Sequence, residues 1–229
     1  MSFLSVTHDS FGTKGFPWAE RVVAGLTRGA ACEACGVAPL VAEGDIDVTL
    51  EPRKGRAWPD VLGCGGYPFF IVSGRVIEAW GEDGVGDFPR QRVNVLPPFP
   101  ERLRASTPPE YFWLDGAKMR GALLDFEASG FVGVRFCPRC GNRTDDVGAT
   151  YERRRSKTWP FEFIQGTWNG AKLFTTDLSP TKFFCTEDVL RSAARHALTN
   201  FRFLRAEDGQ SAGGEGLAYL PDKLRRDGI

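Results

Sequence analysis

The chain contains the stretch Cys32-Glu-Ala-Cys35-Gly36 and repeats its pattern at Cys137-Pro-Arg-Cys140-Gly141. We name these stretches the first and the second knuckle. Two residues between paired cysteines let one tight turn point both sulfur atoms at the same metal ion. The glycine after each pair permits a left-handed or open backbone, so that amide N–H groups face the sulfurs. Together the knuckles supply four thiolates, a closed tetrahedral set that predicts one Zn²⁺ site.

The interval between the knuckles is unusually wide. Cys35 and Cys137 are about a hundred positions apart, far beyond the spacing within a compact zinc ribbon. The intervening segment must leave the site and return, so a metal ion would close a long loop and restrict the unfolded chain. All four ligands are cysteine, whereas a catalytic zinc normally keeps one position open for water. We therefore expect the ion at Cys32, Cys35, Cys137 and Cys140 to be structural.

Other interpretations of the knuckles stay open from the sequence. A single C-x-x-C pair is typical of thioredoxin-like redox sites, but such a site does not explain two matched motifs. Two disulfides, one within each knuckle, would be strained, and a cytosol would reduce them. Iron–sulfur proteins also use four cysteines, although their ligands usually lie closer together in sequence. Knuckles that hold no metal are the last alternative.

The remaining cysteines, Cys64 and Cys185, lie in a glycine-rich loop and at the end of a predicted strand. We interpret both as small hydrophobic residues. The alternative is a catalytic thiol that uses His8 or His196 as its base. The chain has only 2 histidines, and neither thiol lies in a known nucleophile motif. We therefore expect that the protein is not an enzyme.

Composition limits the class of protein. Hydrophobic residues make up 42% of the chain, which is enough to build a core and argues against intrinsic disorder. The 29 basic and 29 acidic residues cancel, whereas a dedicated nucleic-acid binder usually carries a basic excess. No apolar run approaches the length of a membrane span, and the N-terminus lacks the pattern of a signal peptide. We expect a cytoplasmic protein that does not contact a membrane.

The pattern of apolar residues predicts an α+β fold, with a mostly antiparallel sheet and two or three helices tied by the zinc knuckle pair. One helix is expected after Ser73 and another after Thr186, because both residues are good N-caps. The segments 111–114, 121–126 and 131–136 have the composition of consecutive strands of an antiparallel meander.

We predict a single integrated domain over residues 1–229. Its zinc-knuckle subregion is formed by residues 30–37 and 135–143, and residues 207–229 form a loose, glycine-containing tail. Prolines at 97–100 and 107–109 mark a surface crossing that is compatible with a linker. A metal clip that joins both sides of this crossing favours one unit instead.

Several segments match a known family. They are the two knuckles, Ile71-Val-Ser-Gly-Arg-Val76, Asn169-Gly-Ala-Lys-Leu-Phe174 and Cys185-Thr-Glu187 at the start of the last predicted helix. On these residues the chain resembles the double-CXXCG motif proteins, from about the first knuckle to Leu204. The resemblance implies an immunity protein, because the family is similar to partners of the polymorphic lipoprotein toxins of bacterial swarming-inhibition systems. It carries over the four knuckle cysteines and no catalytic residue.

The resemblance also implies a partner, which is a cognate toxin domain that the protein binds and blocks in the cytoplasm. At family level a nuclease is the expected toxin, and immunity proteins often present acidic surfaces to basic nucleases. One candidate surface is the stretch 43–47. The other, which we take as the candidate toxin interface, comprises Glu78, Glu82, Asp83 and Asp87. The alternative for both is an ordinary solvated surface.

A zinc-ribbon nucleic-acid-binding protein is the main alternative function. It would use the basic residues around and after the second knuckle, which are Arg139, Arg143, Arg153, Arg154, Arg155 and Lys157. Binding through these residues would weaken steeply with salt. The zero net charge and the lack of a recognition-helix motif disfavour this function.

Overall fold

The computed structural model describes residues 2–8, 15–51, 55–64, 70–155 and 158–208. The strands in this part of the chain are β1 (Leu4–His8), β2 (Trp18–Arg28), β3 (Leu40–Leu50), β4 (Val61–Cys64), β5 (Ile71–Ser73), β6 (Arg90–Leu96), β7 (Tyr111–Leu114), β8 (Arg120–Ala122), β9 (Arg135–Phe136), β10 (Arg143–Thr144), β11 (Leu173–Thr176), β12 (Ser179–Cys185) and β13 (Phe201–Arg205). The α-helices are α1 (Gly74–Glu82), α2 (Val147–Arg155) and α3 (Glu187–Arg195). Two short 3-10 helices cover Glu101–Leu103 and Gly116–Lys118. The predicted α+β class is confirmed.

Six strands close into a barrel in the order β2-β3-β6-β7-β5-β4. Four neighbouring pairs are antiparallel, but β3 runs parallel to β6 and β2 runs parallel to β4. The parallel pair that closes the barrel places Trp18 beside Gly63. The expectation of a mostly antiparallel sheet is therefore corrected. Closure joins residues that are distant in sequence, and no local pattern signals it.

A second sheet, which we name the central sheet, has the order β13-β1-β12-β11-β8. Its pairs are antiparallel except for β8, which runs parallel to β11. The predicted meander of 111–136 is wrong. Its first strand became barrel strand β7, its second became the edge strand β8, and its third became β9, which forms a separate two-stranded sheet with β10.

Three apolar clusters follow from the alternation of side chains along these strands. The barrel interior contains residues from all six strands, including Ala19, Ile46, Val48, Leu62, Ile71, Val93 and Trp113. Their outward neighbours Val61, Val72 and Leu114 face the central sheet, where they join Leu4, Val6, Phe183 and Phe203 with Trp80 of α1 and Val189 of α3. The other face of the central sheet packs Phe174, Phe184 and Ala122 against a covering layer that includes Leu124 and Phe161.

The predicted helices after Ser73 and Thr186 are present as α1 and α3. The Ser73 hydroxyl does not cap the backbone of α1 but donates 2.9 Å to the carboxylate of Asp60. The third helix, α2, agrees with the predicted number of two or three, but its position was not predicted, because its buried face is reduced to Thr150 and gives no amphipathic signal.

Two predictions concern the ends of the chain and the membrane. Of the predicted loose tail 207–229, the structure describes Glu207 and Asp208, and the rest lies outside the described residues. Within the described part of the chain, each α-helix has 9 residues, and none is long and apolar enough to cross a membrane.

Candidate metal centre

Each knuckle is the loop of a β-hairpin. The first knuckle joins β2 to β3, and the Gly29 N–H donates 2.9 Å to the Pro39 carbonyl at the base of the loop. The second joins β9 to β10, which pair antiparallel with Arg143 opposite Phe136. Paired strands therefore hold both ends of each loop, which limits the motion of the cysteines between them.

The two loops have the same backbone geometry. The Gly36 N–H donates 2.7 Å to the Cys32 carbonyl, and the Gly141 N–H donates 2.8 Å to the Cys137 carbonyl. Gly36 and Gly141 have φ of 71° and 69°, in the left-handed region that favours glycine. The predicted role of the glycines is confirmed.

The four predicted sulfur atoms come together. All lie within 4.8 Å of one another, although residues Cys32 and Cys137 are separated by 105 positions. The Cys32 and Cys137 Sγ atoms are 3.7 Å apart, and those of Cys35 and Cys140 are 3.5 Å apart. A Zn–S bond of about 2.3 Å gives a tetrahedral S···S edge of about 3.8 Å. Two of the sulfur pairs match this edge, and the arrangement of all four sulfurs is compatible with one tetrahedral metal ion.

Backbone N–H groups favour thiolates at the site. The N–H groups of Cys140 and Arg139 lower the pKa of Cys137 to about 6, and those of Ala34 and Cys35 lower the pKa of Cys32. The Val37 N–H also lowers the pKa of Cys35, but desolvation and the three crowded sulfurs outweigh it and raise that pKa to about 12. A divalent cation would relieve this crowding and displace the remaining protons.

The centre lies at the surface. Cys137 is buried, Cys32 and Cys35 are partly buried, and Cys140 is exposed. An ion pair between Arg139 and Glu33 crosses from one knuckle to the other, but both side chains are exposed, so it contributes at most about 1 kcal/mol.

The structural roles of two neighbours of the second knuckle, Asn142 and Arg143, were not predicted from the sequence. The Asn142 side chain donates 3.2 Å to the Cys140 sulfur. The Arg143 guanidinium lies 5.3 Å from the Phe126 ring centroid and 4.9 Å from that of Phe131, and so joins the knuckle to the covering layer. No sequence signal marks these roles, because each depends on the turn that the cysteines impose.

The other two cysteines lie away from the centre. Cys64 is buried among the side chains of the barrel interior, and burial raises its pKa to about 12. Cys185 is buried between the central sheet and the helices, which raises its pKa well above the ordinary value. Both positions fit the interpretation as small hydrophobic residues.

The four acidic residues of the candidate toxin interface differ in their exposure and in their ion pairs. Glu78 and Glu82 are exposed one turn apart on α1. The Asp83 side chain is only 10% exposed and forms an ion pair with Arg195 of α3. Asp87 is exposed but pairs with Arg90. Glu78 and Glu82 are thus the two exposed carboxylates of the four that have no close ion pair with an arginine.

The basic residues of the alternative function have contacts within the chain. Lys157 lies outside the described residues. The others contact groups of the same chain: Arg139 pairs with Glu33, Arg143 with Asp145, Arg155 with Glu152, Arg153 lies over Trp159, and Arg154 lies over Phe131 and Phe161. Binding of nucleic acid would have to compete with these contacts.

Comparison with protein families and with curated proteins identifies no relative of the chain. Models of known protein families give no match to the chain, and a search of curated proteins finds no significant match. The geometry of the site therefore has to be interpreted from its own chemistry.

Proposed function

We propose that the protein is a bacterial immunity protein of the double-CXXCG kind, which binds a toxin domain and holds one structural zinc ion between its knuckles. The convergence of the four sulfur atoms from two hairpin loops carries the proposal. A tetrahedral set of four sulfurs suits zinc or an iron–sulfur centre. The wide separation of the two pairs favours a single zinc ion.

A binding role is inferred from the ligand set. Four cysteines occupy every position of a tetrahedral ion, so the zinc would have no open position for water or a substrate. Its contribution is then to the folded state, in which it joins hairpin loops that are distant in sequence. Such a protein acts through the surface that it presents.

The resemblance supports the immunity part of the proposal. Its segments outside the knuckles fall on core elements: Ile71–Ser73 is β5, residues 169–174 lead into β11, and residues 185–187 join β12 to α3. These segments contribute Ile71, Val72, Phe174 and Cys185 to the core, and core residues are the parts that proteins with different partners can share, whereas their surfaces differ. The family resemblance would then describe the scaffold and leave the toxin contact to surface residues.

The exposed acidic face of α1 is our choice for the toxin contact. Glu78 and Glu82 are exposed one turn apart, and Glu82 has only a long contact of 3.9 Å with the Nε2 atom of His196, whereas Asp83 and Asp87 form close ion pairs with arginines. A helix face with two exposed carboxylates offers complementary potential to a basic nuclease. The other acidic stretch lies on β3, where Glu43 and Asp45 are exposed.

Co-expression with the toxin domain encoded beside the gene tests this function. We expect survival of the cells and a one-to-one complex that co-purifies with zinc. Glu78→Lys with Glu82→Lys should weaken the complex at least about tenfold, because the rim charges would now repel a basic partner. The matched control is Glu43→Lys with Asp45→Lys, which makes the same charge change on β3 and should leave binding intact.

Two results would overturn the proposal. If the toxin domain kills the cells and no complex forms, the immunity function is wrong. Salt-dependent binding of the same preparation to nucleic acid would then support the zinc-ribbon alternative. If the control variant loses the complex and the α1 variant keeps it, the toxin contact is on β3 instead.

A further inference from the structure

We propose that the four knuckle cysteines are also a site of oxidative modification, at which a peroxide joins the knuckles through Cys32–Cys137 and Cys35–Cys140 disulfides and releases the metal. This inference rests on the proposed zinc site and adds a redox response to it. The bonds would run between the knuckles, in contrast to the disulfides within each knuckle that the sequence leaves open.

The sulfur geometry carries the choice of partners. Both close sulfur pairs, at 3.7 and 3.5 Å, join one knuckle to the other. A disulfide needs an S–S distance of about 2.05 Å, so each pair has to approach by about 1.5 Å. The proposal requires that rotation of the cysteine side chains and small shifts of the exposed loops supply this movement.

Accessibility favours attack at one end of the cluster. Cys140 is exposed and its close partner Cys35 is partly buried, so a small oxidant reaches this pair from solvent. Cys64 and Cys185 are buried in separate apolar clusters and are protected from the same oxidant. Oxidation should therefore be confined to the metal centre.

The chemistry balances with a peroxide as oxidant. The Cys140 thiolate attacks hydrogen peroxide, which gives a sulfenic acid and one hydroxide ion. The Cys35 thiolate then attacks the sulfenic sulfur, which forms the disulfide and expels a second hydroxide ion. Each disulfide thus consumes one peroxide and two thiolates. Loss of two thiolates leaves the zinc with two protein ligands, and the second disulfide removes those.

Oxidation would replace the metal bridge between the two knuckles with a disulfide bridge. Zinc joins the loop between β2 and β3 to the loop between β9 and β10, and either cross-knuckle disulfide joins the same two loops. The oxidised chain therefore keeps a bond between the two loops, whereas the reduced, metal-free chain has no such bond and depends on packing alone. A disulfide within one knuckle would not preserve the tie.

The test uses the full chain purified under reducing conditions, with its zinc content measured first. Hydrogen peroxide is added, released zinc is followed with a chromogenic chelator, and peptides are mapped by mass spectrometry without reduction. We expect one zinc released per chain, with Cys32–Cys137 and Cys35–Cys140 links that a thiol reductant reverses. A chain that contains no zinc overturns both the metal and the redox proposal. A zinc-loaded chain with Cys32–Cys35 and Cys137–Cys140 links, or with unlinked sulfinic acids, overturns the redox proposal alone.

Two double variants test the partner choice when the metal is gone. Cys32→Ser with Cys137→Ser keeps the close pair Cys35 and Cys140, whereas Cys32→Ser with Cys140→Ser keeps Cys35 and Cys137. Both variants lose the same number of zinc ligands, so a general effect on folding is matched. The first should form its disulfide at least about tenfold faster, because its sulfurs are already close. Equal rates would contradict the assigned pairs.

Discussion

At the scale of single residues, two glycines with the same backbone conformation differ in whether a larger side chain would fit. Gly25 of β2 and Gly44 of β3 both have φ of 79°, a left-handed conformation. A Cβ atom at Gly25 would lie 1.9 Å from the carbonyl oxygen of Asp45, on the neighbouring strand. A Cβ atom at Gly44 would have no atom within 4 Å. The backbone strain is the same at both positions, but only Gly25 is also sterically required.

We expect Gly25→Ala to destabilise the protein more than Gly44→Ala. Both substitutions should cost about 1 kcal/mol for the left-handed backbone. Gly25→Ala should cost about 1–3 kcal/mol more, because the two strands must separate to admit the methyl group. Denaturant unfolding of the two variants measures the difference. Equal midpoints would show that the hairpin relaxes freely around residue 25.

At the scale of elements, one nearly buried carboxylate adds an ion pair to the apolar contact between α1 and α3. Asp83 follows the last residue of α1, pairs with Arg195 and lies 3.2 Å from the Nε2 atom of His196. Desolvation alone raises the pKa of Asp83. The Ser192 hydroxyl, Arg195 and His196 outweigh it and lower that pKa below the ordinary value.

This shift predicts the pH dependence of the contact. The folded pKa of Asp83 lies below the unfolded value of about 3.9, so its contribution is present above that pH. It is lost as the pH falls through the folded pKa. Asp83→Asn should therefore lower the free energy of unfolding by about 1 kcal/mol above pH ~4, and the difference should vanish in stronger acid.

Denaturant unfolding of the wild type and Asp83→Asn between about pH 2 and pH 5 checks this prediction. Glu78→Gln is the matched control, because it removes an exposed carboxylate from the same helix. The control should change stability little at any pH. A difference for Asp83→Asn that grows as the pH falls would contradict the assigned sign.

At the scale of the whole molecule, the proposed metal joins two structural layers. The first knuckle extends from barrel strands β2 and β3. The second lies on β9 and β10, which follow the covering layer on the far face of the central sheet and contact it through Arg143. An ion between them would link the barrel to that layer outside the apolar clusters.

Removal of this link should destabilise the protein strongly. Closing a loop of about a hundred residues is worth about 4–5 kcal/mol in the chain-entropy estimate. A chelator, or Cys32→Ser with Cys137→Ser, should therefore lower the free energy of unfolding by about 4–5 kcal/mol, because either change opens this loop. The stability of the wild type should rise with free zinc, by about 2.7 kcal/mol at a hundredfold excess over Kd.

Cys64→Ala is the control for this experiment, since Cys64 lies in the barrel interior away from the knuckles. It should lose some packing energy but keep the full response to zinc. The double knuckle variant should show no response. A wild-type protein whose unfolding midpoint ignores both chelator and added zinc would falsify a structural role for the metal.

The sequence by itself determined the local parts of this protein. The spacing of the cysteines and the glycines after them identified the four sulfurs that converge, because two residues and a left-handed turn suffice to aim a cysteine pair. Ser73 and Thr186 marked the starts of two helices, because such residues favour the extended backbone before a first turn, although neither side chain caps its helix in the structure. These features are set by a few consecutive residues, whose conformations and spacing are visible in the sequence.

The tertiary structure alone decided the parts that join distant residues. It closed the barrel by placing Trp18 beside Gly63, paired Cys32 with Cys137, and turned Asp83 toward Arg195. Strand order and register follow from burying three apolar clusters at once, and many pairings of short strands satisfy the local pattern equally well. Which charges remain exposed is then a consequence of that packing, and not of any motif.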